Sequence, residues 1–161
     1  MPVFFSYVLS FVFIGIYWNN HHHLLQASKS VDGRVLWANL HLLFWLSLIP
    51  FVTAWMGENK FTAWPVALYG MILTGAGVAY FLLTRVLIAL HGRDSVLATA
   101  MGRDVKGTVS AIIPLVGIPL AFFNSWLARA LYVVLTLIWL VPDQRIETQL
   151  TPAAAPGLKE P

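Results

Sequence analysis

The chain has 161 residues, of which 58% are hydrophobic and 11% charged, with a net charge of +3, no cysteine and a mean hydropathy of +0.73. A soluble domain of this size carries about 25% charged residues, so the composition is that of an integral membrane protein. The small, dispersed positive charge excludes a nucleic-acid footprint, and the lack of cysteine excludes disulfides, thiolate metal sites and cysteine nucleophiles.

The first formal charge is Lys29. Ahead of it, residues 3–23 have the length of roughly 20 helical residues that a hydrocarbon layer about 30 Å thick requires. The apolar stretch ends in Tyr17-Trp18-Asn19-Asn20-His21-His22-His23, a polar cluster at the far headgroup boundary. A signal peptide is excluded by the lack of a basic leader, the length of the apolar run and the lack of a small-residue cleavage site. Later uncharged stretches predict spans over residues 36–56, 62–84, 107–123 and 126–141, the last two forming a hairpin at Asn124-Ser125. Helices satisfy their own backbone in lipid, and the continuous apolarity lacks the alternation of barrel strands. The expected fold is all-α, with five spans in one transmembrane domain over residues 1–147.

The connections are short. Asp32-Gly33 marks a turn, and Gly57-Glu58-Asn59-Lys60 a tight loop. The longest connection, His91 to Lys106, holds an apolar patch from Val96 to Met101 that suits a short interfacial helix. Residues 148–161, rich in Pro and Ala, are expected to be disordered. Lys29, Arg34, Arg85, Arg93, Arg103, Lys106 and Arg145 gather on one side, against Lys60 and a snorkelling Arg129 on the other. The positive-inside rule makes the first side, and the C-terminus, cytoplasmic. Five spans then leave the N-terminus outside with no upstream positive charge, and an apolar helix upstream of Met1 is the simplest repair.

Candidate functional residues cluster on the first two spans. Consecutive histidines point about 100° apart on a helix, so His21, His22 and His23 cannot chelate one metal together. The polar cluster is either an interfacial cap or an interhelical hydrogen-bond network, with a metal or proton relay as a third option. Asn39 and His41, near the cytoplasmic start of the second span, stand level with His21–His23 on the antiparallel neighbour. Bonds between such groups in a membrane contribute roughly 0.6–2 kcal/mol each. Trp45 lies near mid-depth and its indole N–H needs a partner, while Pro50 is expected to kink the helix. In the third span Gly70, Thr74 and Gly77 form a small-residue stripe for close helix packing, and Gly75 and Ala79 a second pair. In the fourth, Gly117 lies between Pro114 and Pro119, which free backbone carbonyls and kink the helix. Arg129 apart, no acidic or basic side chain lies deep in a span, and no catalytic or phosphate-binding motif is present. An enzyme, a resident cofactor and a metal site are therefore not expected.

Three stretches carry a family resemblance. They are Ser6-Tyr7-Val8-Leu9-Ser10-Phe11 with Ile14-Gly15-Ile16-Tyr17-Trp18-Asn19-Asn20-His21-His22, then Leu36-Trp37-Ala38-Asn39-Leu40 with Leu48-Ile49-Pro50-Phe51-Val52-Thr53, and Trp139-Leu140-Val141-Pro142-Asp143-Gln144-Arg145-Ile146-Glu147. With Ala67-Leu68-Tyr69-Gly70, they resemble the prokaryotic branch of the endosomal/lysosomal potassium channels, transmembrane protein 175 type. The resemblance implies a six-helix subunit, four of which surround a potassium-selective pore in a multi-pass bacterial or archaeal cell-membrane protein. The family's first helix lines the pore and bears an R-x-x-x-F-S-D signature, which this chain lacks; Phe5-Ser6-Tyr7 does not match it. The five spans then correspond to helices two to six, and pore-lining residues are expected upstream of Met1. Trp18, Asn19, His21, His22, Asn39 and Trp45 become the polar network supporting that pore helix. Two rivals remain: a non-conducting scaffold associating through the Gly70–Gly77 stripe, and a proton or metal transporter using His21–His23.

Overall fold

The computed structural model describes residues 2–26, 28, 30–92, 98 and 105–140. Their regular structure is helical: α1 (Pro2–Gln26), α2 (Gly33–Ser47), α3 (Ile49–Glu58), α4 (Ala63–His91), α5 (Val105–Phe123) and α6 (Ser125–Leu140). Of the patch at 96–101 only residue 98 is described, and the tail at 148–161 and the cations Lys29, Arg93, Arg103 and Arg145 lie outside the described residues. Gly33–Glu58, taken as one rod, and Ala63–His91 are long and apolar enough to cross a membrane, and Ile112–Phe123 and Ser125–Leu140 are shorter apolar helices.

Local chemistry explains the boundaries. Asp32 caps α2: its Oδ1 accepts from the Val35 amide at 3.0 Å, satisfying one orphan donor of the first turn. The expected kink at Pro50 is a break at Leu48, dividing one rod into α2 and α3. Pro50 has no amide to offer the Leu46 carbonyl and its ring crowds that group, so the ladder yields just ahead of the proline. Beyond α3, Lys60 and Phe61 both adopt left-handed backbone, with φ of 50° and 58°. The Phe61 amide returns to the Met56 carbonyl at 2.9 Å, closing the tight loop. Asn124 closes α5 and opens α6, its Oδ1 accepting from the amides of Trp126 and Leu127 at 3.1 and 3.2 Å.

The central element is α4, which packs on α2, α3, α5 and α6, while α1 lies mainly along α3 and touches α6. Along α4 the buried residues Val66, Ala67, Ile72, Leu73, Ala76, Ala79, Leu83 and Leu87 form the core. One end of the bundle is tied by Arg129, whose guanidinium lies 4.7 Å over the Phe61 ring, and by Trp64 edge-on to Phe122 at 5.0 Å. At the other end His91 donates from Nδ1 to the Leu87 carbonyl at 2.9 Å and accepts from the Ser30 amide at 3.2 Å. That pair of bonds ties the α1–α2 connection to the end of α4.

Candidate functional site: a polar clamp on the first helix

The last turns of α1 hold polar contacts that reach two other helices. Buried positions on this helix follow a 3-and-4 spacing: Ser10, Phe13, Tyr17, Asn20, His21 and Leu24. The opposite face, with Phe4, Tyr7, Phe11, Trp18 and His22, is exposed. Tyr7, Phe11, Trp18 and His21 recur at 3-and-4 spacing along the helix, yet of these only His21 is turned inward.

His21 Nε2 donates to Asn39 Oδ1 at 2.6 Å, joining α1 to α2 across 18 residues of chain. An amide oxygen can only accept, so the bond selects the Nε2–H tautomer of His21. It leaves the ring's Nδ1 as an acceptor and both Asn39 Nδ2 hydrogens as donors. Beside it, Asn20 Nδ2 donates to the Ile16 carbonyl at 2.8 Å and to the Trp139 carbonyl of α6 at 3.3 Å. Trp139 is itself held on three sides. Its indole N–H donates to Ser110 Oγ of α5, its ring stacks on Tyr17 at 6.0 Å and 13°, and Tyr80 of α4 meets it edge-on at 5.6 Å.

The remaining candidates are placed apart from this clamp. Trp18 stacks on His22 at 5.2 Å and 13°, both on the exposed face. Asn19 is half-buried. Trp45 finds its partner on its own helix: Nε1 donates to His41 Nε2 at 3.0 Å, and its ring packs where a side chain on Gly75 would stand. In the small-residue stripe, Thr74 Oγ1 donates to the Gly70 carbonyl at 2.9 Å, and Gly77 faces the Ser110 carbonyl. Gly70 accommodates the Tyr132 hydroxyl, and Gly117 of α5 accommodates the same ring from the other side. Among the described residues the buried Tyr132 hydroxyl has no hydrogen-bond partner. Among the described residues no group of three or more His, Asp or Glu side chains is placed to hold a metal ion.

Comparison with known proteins places this arrangement. Residues 1–50 match the family profile of the endosomal/lysosomal potassium channel TMEM175. Over 150 residues the chain is 47% identical to a protein named as a potassium channel from Chryseobacterium sp. (strain P1-3), covering 93% of this chain and 78% of that protein. The chain belongs to the TMEM175 potassium channel family. A second relative, named as a potassium channel from Streptomyces collinus (strain DSM 40733 / Tue 365), is 29% identical over 83 residues, or 49% of this chain and 40% of its own length. No solved structure matches. Both names describe channels rather than enzymes, and TMEM175 membership makes this a membrane protein of the ion-transport class.

Several residues of the clamp were not singled out from the sequence. Asn20 lies inside the polar cluster, but every face of α1 is apolar above it, so periodicity does not mark which side is buried. Trp139, Ser110 and Tyr132 meet their partners only through tertiary packing. A large buried aromatic opposite two glycines on neighbouring helices is the signal that identifies Tyr132.

Proposed function

We propose that this chain is a subunit of a potassium-selective channel that assembles as a homotetramer in the cell membrane of a bacterium or archaeon. The observation that carries this reading is the half-buried His21–Asn39 pair, joined to 47% identity with a named potassium channel. Among the described residues the pair has unused capacity, an acceptor at His21 Nδ1 and two donors at Asn39 Nδ2, beside an exposed apolar face on α1. Unused polar capacity within a membrane favours polar side chains of a further helix, because an unpaired group in hydrocarbon costs several kcal/mol. The pore is lined by a helix preceding α1, and α1 to α6 form the scaffold around it. Selectivity then arises at a constriction on that helix, since none of the five predicted spans carries a carboxylate for a charged ring.

The orientation follows the positive-inside rule. Lys60 and Arg129 belong to the outer end, and the α1–α2 connection and the end of α4 to the cytoplasmic one. The C-terminus is cytoplasmic. The scaffold alternative depends on a free Gly70–Gly77 stripe, yet Tyr132 of the same chain already occupies the space beside Gly70. That favours conduction over a purely structural role.

Potassium flux into liposomes tests the reading, comparing the 161-residue chain with a version extended by the preceding helix. Faster flux in the extended protein is expected, and equal flux would contradict the pore assignment. Replacing His21, His22 and His23 together by Gln tests the transporter alternative. Proton or metal transport that disappears in that variant, with no potassium flux in the parent, would put the transporter reading first.

A further inference from the structure

Two consecutive residues near the end of α1 hold two different helices. Asn20 reaches the main-chain carbonyl of Trp139 on α6, and His21 reaches the side chain of Asn39 on α2. Adjacent residues project about 100° apart on a helix, so the two bonds pull on α1 in different directions. One bond alone leaves the helix free to pivot about its own axis; two at this angle do not. Both partners of Asn20 Nδ2 are carbonyl oxygens, so only the amide nitrogen can face them and both of its hydrogens are used. The Trp139 carbonyl is a firm anchor because the indole of the same residue is locked by Ser110, Tyr17 and Tyr80. The residue is 5% exposed, so no water replaces the bond once it is lost.

We propose that Asn20 is a positioning residue: through the Trp139 carbonyl it sets the rotation of α1, and so the direction in which the face bearing Phe11, Trp18 and His22 is presented. The inference deepens the channel reading, in which α1 supports the pore helix. His21 with Asn39 is the gripping pair, and Asn20 with Trp139 sets the angle at which it is offered. Asn20 touches no ion.

The two bonds of Asn20 can be separated. Asn20→Thr keeps a side-chain donor for the Ile16 carbonyl one turn below, as Thr53 does for Ile49 and Thr84 for Tyr80, but is too short to reach Trp139. Asn20→Leu removes both bonds with a side chain of the same branching and somewhat larger volume. The chain has no cysteine, so cysteines at Val12 and Val133, both exposed on α1 and α6, give a clean pair of spin-label sites. Pulsed electron–electron resonance in liposomes, with labelled chains diluted by unlabelled ones, reads the distance between the helices. Potassium flux is measured on the same variants, and on their parent, in the form extended by the preceding helix.

A label about 5 Å from the helix axis moves by about 3 Å for a rotation of about 35°. Both variants are expected to shift or broaden the distance distribution by that amount. Asn20→Thr is expected to lower flux about fivefold, corresponding to about 1 kcal/mol, the scale of one interhelical bond. Should Asn20→Leu fail to fold, Asn20→Thr carries the test. Distances matching the parent in Asn20→Thr would overturn the inference. A shifted distance with no potassium flux in any chain, parent included, would support the clamp and count against the channel reading instead.

Discussion

Two contact regions of the bundle solve the same problem by opposite means. Where α1 meets α2 and α6, helices are joined by directional polar bonds: His21 to Asn39, Asn20 to the Trp139 carbonyl, and Trp139 to Ser110. Where α4 meets α5 and α6, they are joined by shape. Gly70 and Gly117 leave a slot that the Tyr132 ring fills, and the hydroxyl inside it finds no partner among the described residues. Hydrogen bonds fix rotation because they are angular, whereas a filled slot fixes how closely the helices approach because repulsion is steep. The first contact holds a helix that presents an exposed face; the second holds the buried centre.

The strongest way to break this contrast is to fill the slot. Gly117→Ala places a methyl where Tyr132 ring atoms stand, and Gly70→Ala does the same from the other side. Each removes a helix-weakening glycine, a gain of about 1 kcal/mol, but a buried tyrosine ring cannot yield without disturbing α5 or α4. Overpacking wins, with a net loss of about 1–3 kcal/mol expected in detergent denaturation. Combining Gly117→Ala with Tyr132→Leu is expected to recover part of that loss, and an additive result would show that the two residues do not share one site.

A smaller effect is expected at the polar contact. Asn39→Leu leaves His21 without its acceptor and is expected to cost about 1 kcal/mol, within the range for interhelical bonds in membranes. His21→Leu together with Asn39→Leu is expected to be less harmful than the two single losses summed, because no orphan remains. A double-mutant cycle on unfolding free energy measures the coupling, and a coupling near zero would remove His21–Asn39 from the structural account.

The smallest change sharpens the comparison most. Tyr132→Phe removes a hydroxyl that has no partner, so stability is expected to be unchanged or to rise by up to about 1 kcal/mol. A marked loss in thermal midpoint would show that the hydroxyl is bonded, and that the slot works by polarity after all.

Much of the fold was legible in the residues. The run lengths of apolar segments gave the helices, Asp32 and Asn124 gave two of their boundaries, and Pro50 located the break in the second rod to within two positions. The pairing of His21 with Asn39 could be anticipated from their level on antiparallel neighbours. Other placements could not be read. Trp18 and His22 belong to the same cluster yet face outward, and Trp45 gives its indole N–H to His41 on its own helix while its ring packs over Gly75 of α4.

The physical reason is that membrane helices are apolar all round. In a soluble protein the polar side of a helix announces its exposed face, but here lipid-facing and core-facing residues are drawn from one set. The sequence by itself therefore determined that the described residues are helical and which polar groups needed partners, but not that α4 runs on to His91. Only the tertiary structure decided the rotation of each rod: that α1 turns Asn20 and Tyr17 inward, and that Tyr132 spends its bulk between two glycines. Rotation follows from contacts between residues distant in the chain, such as Asn20 and Trp139, and no local pattern encodes it.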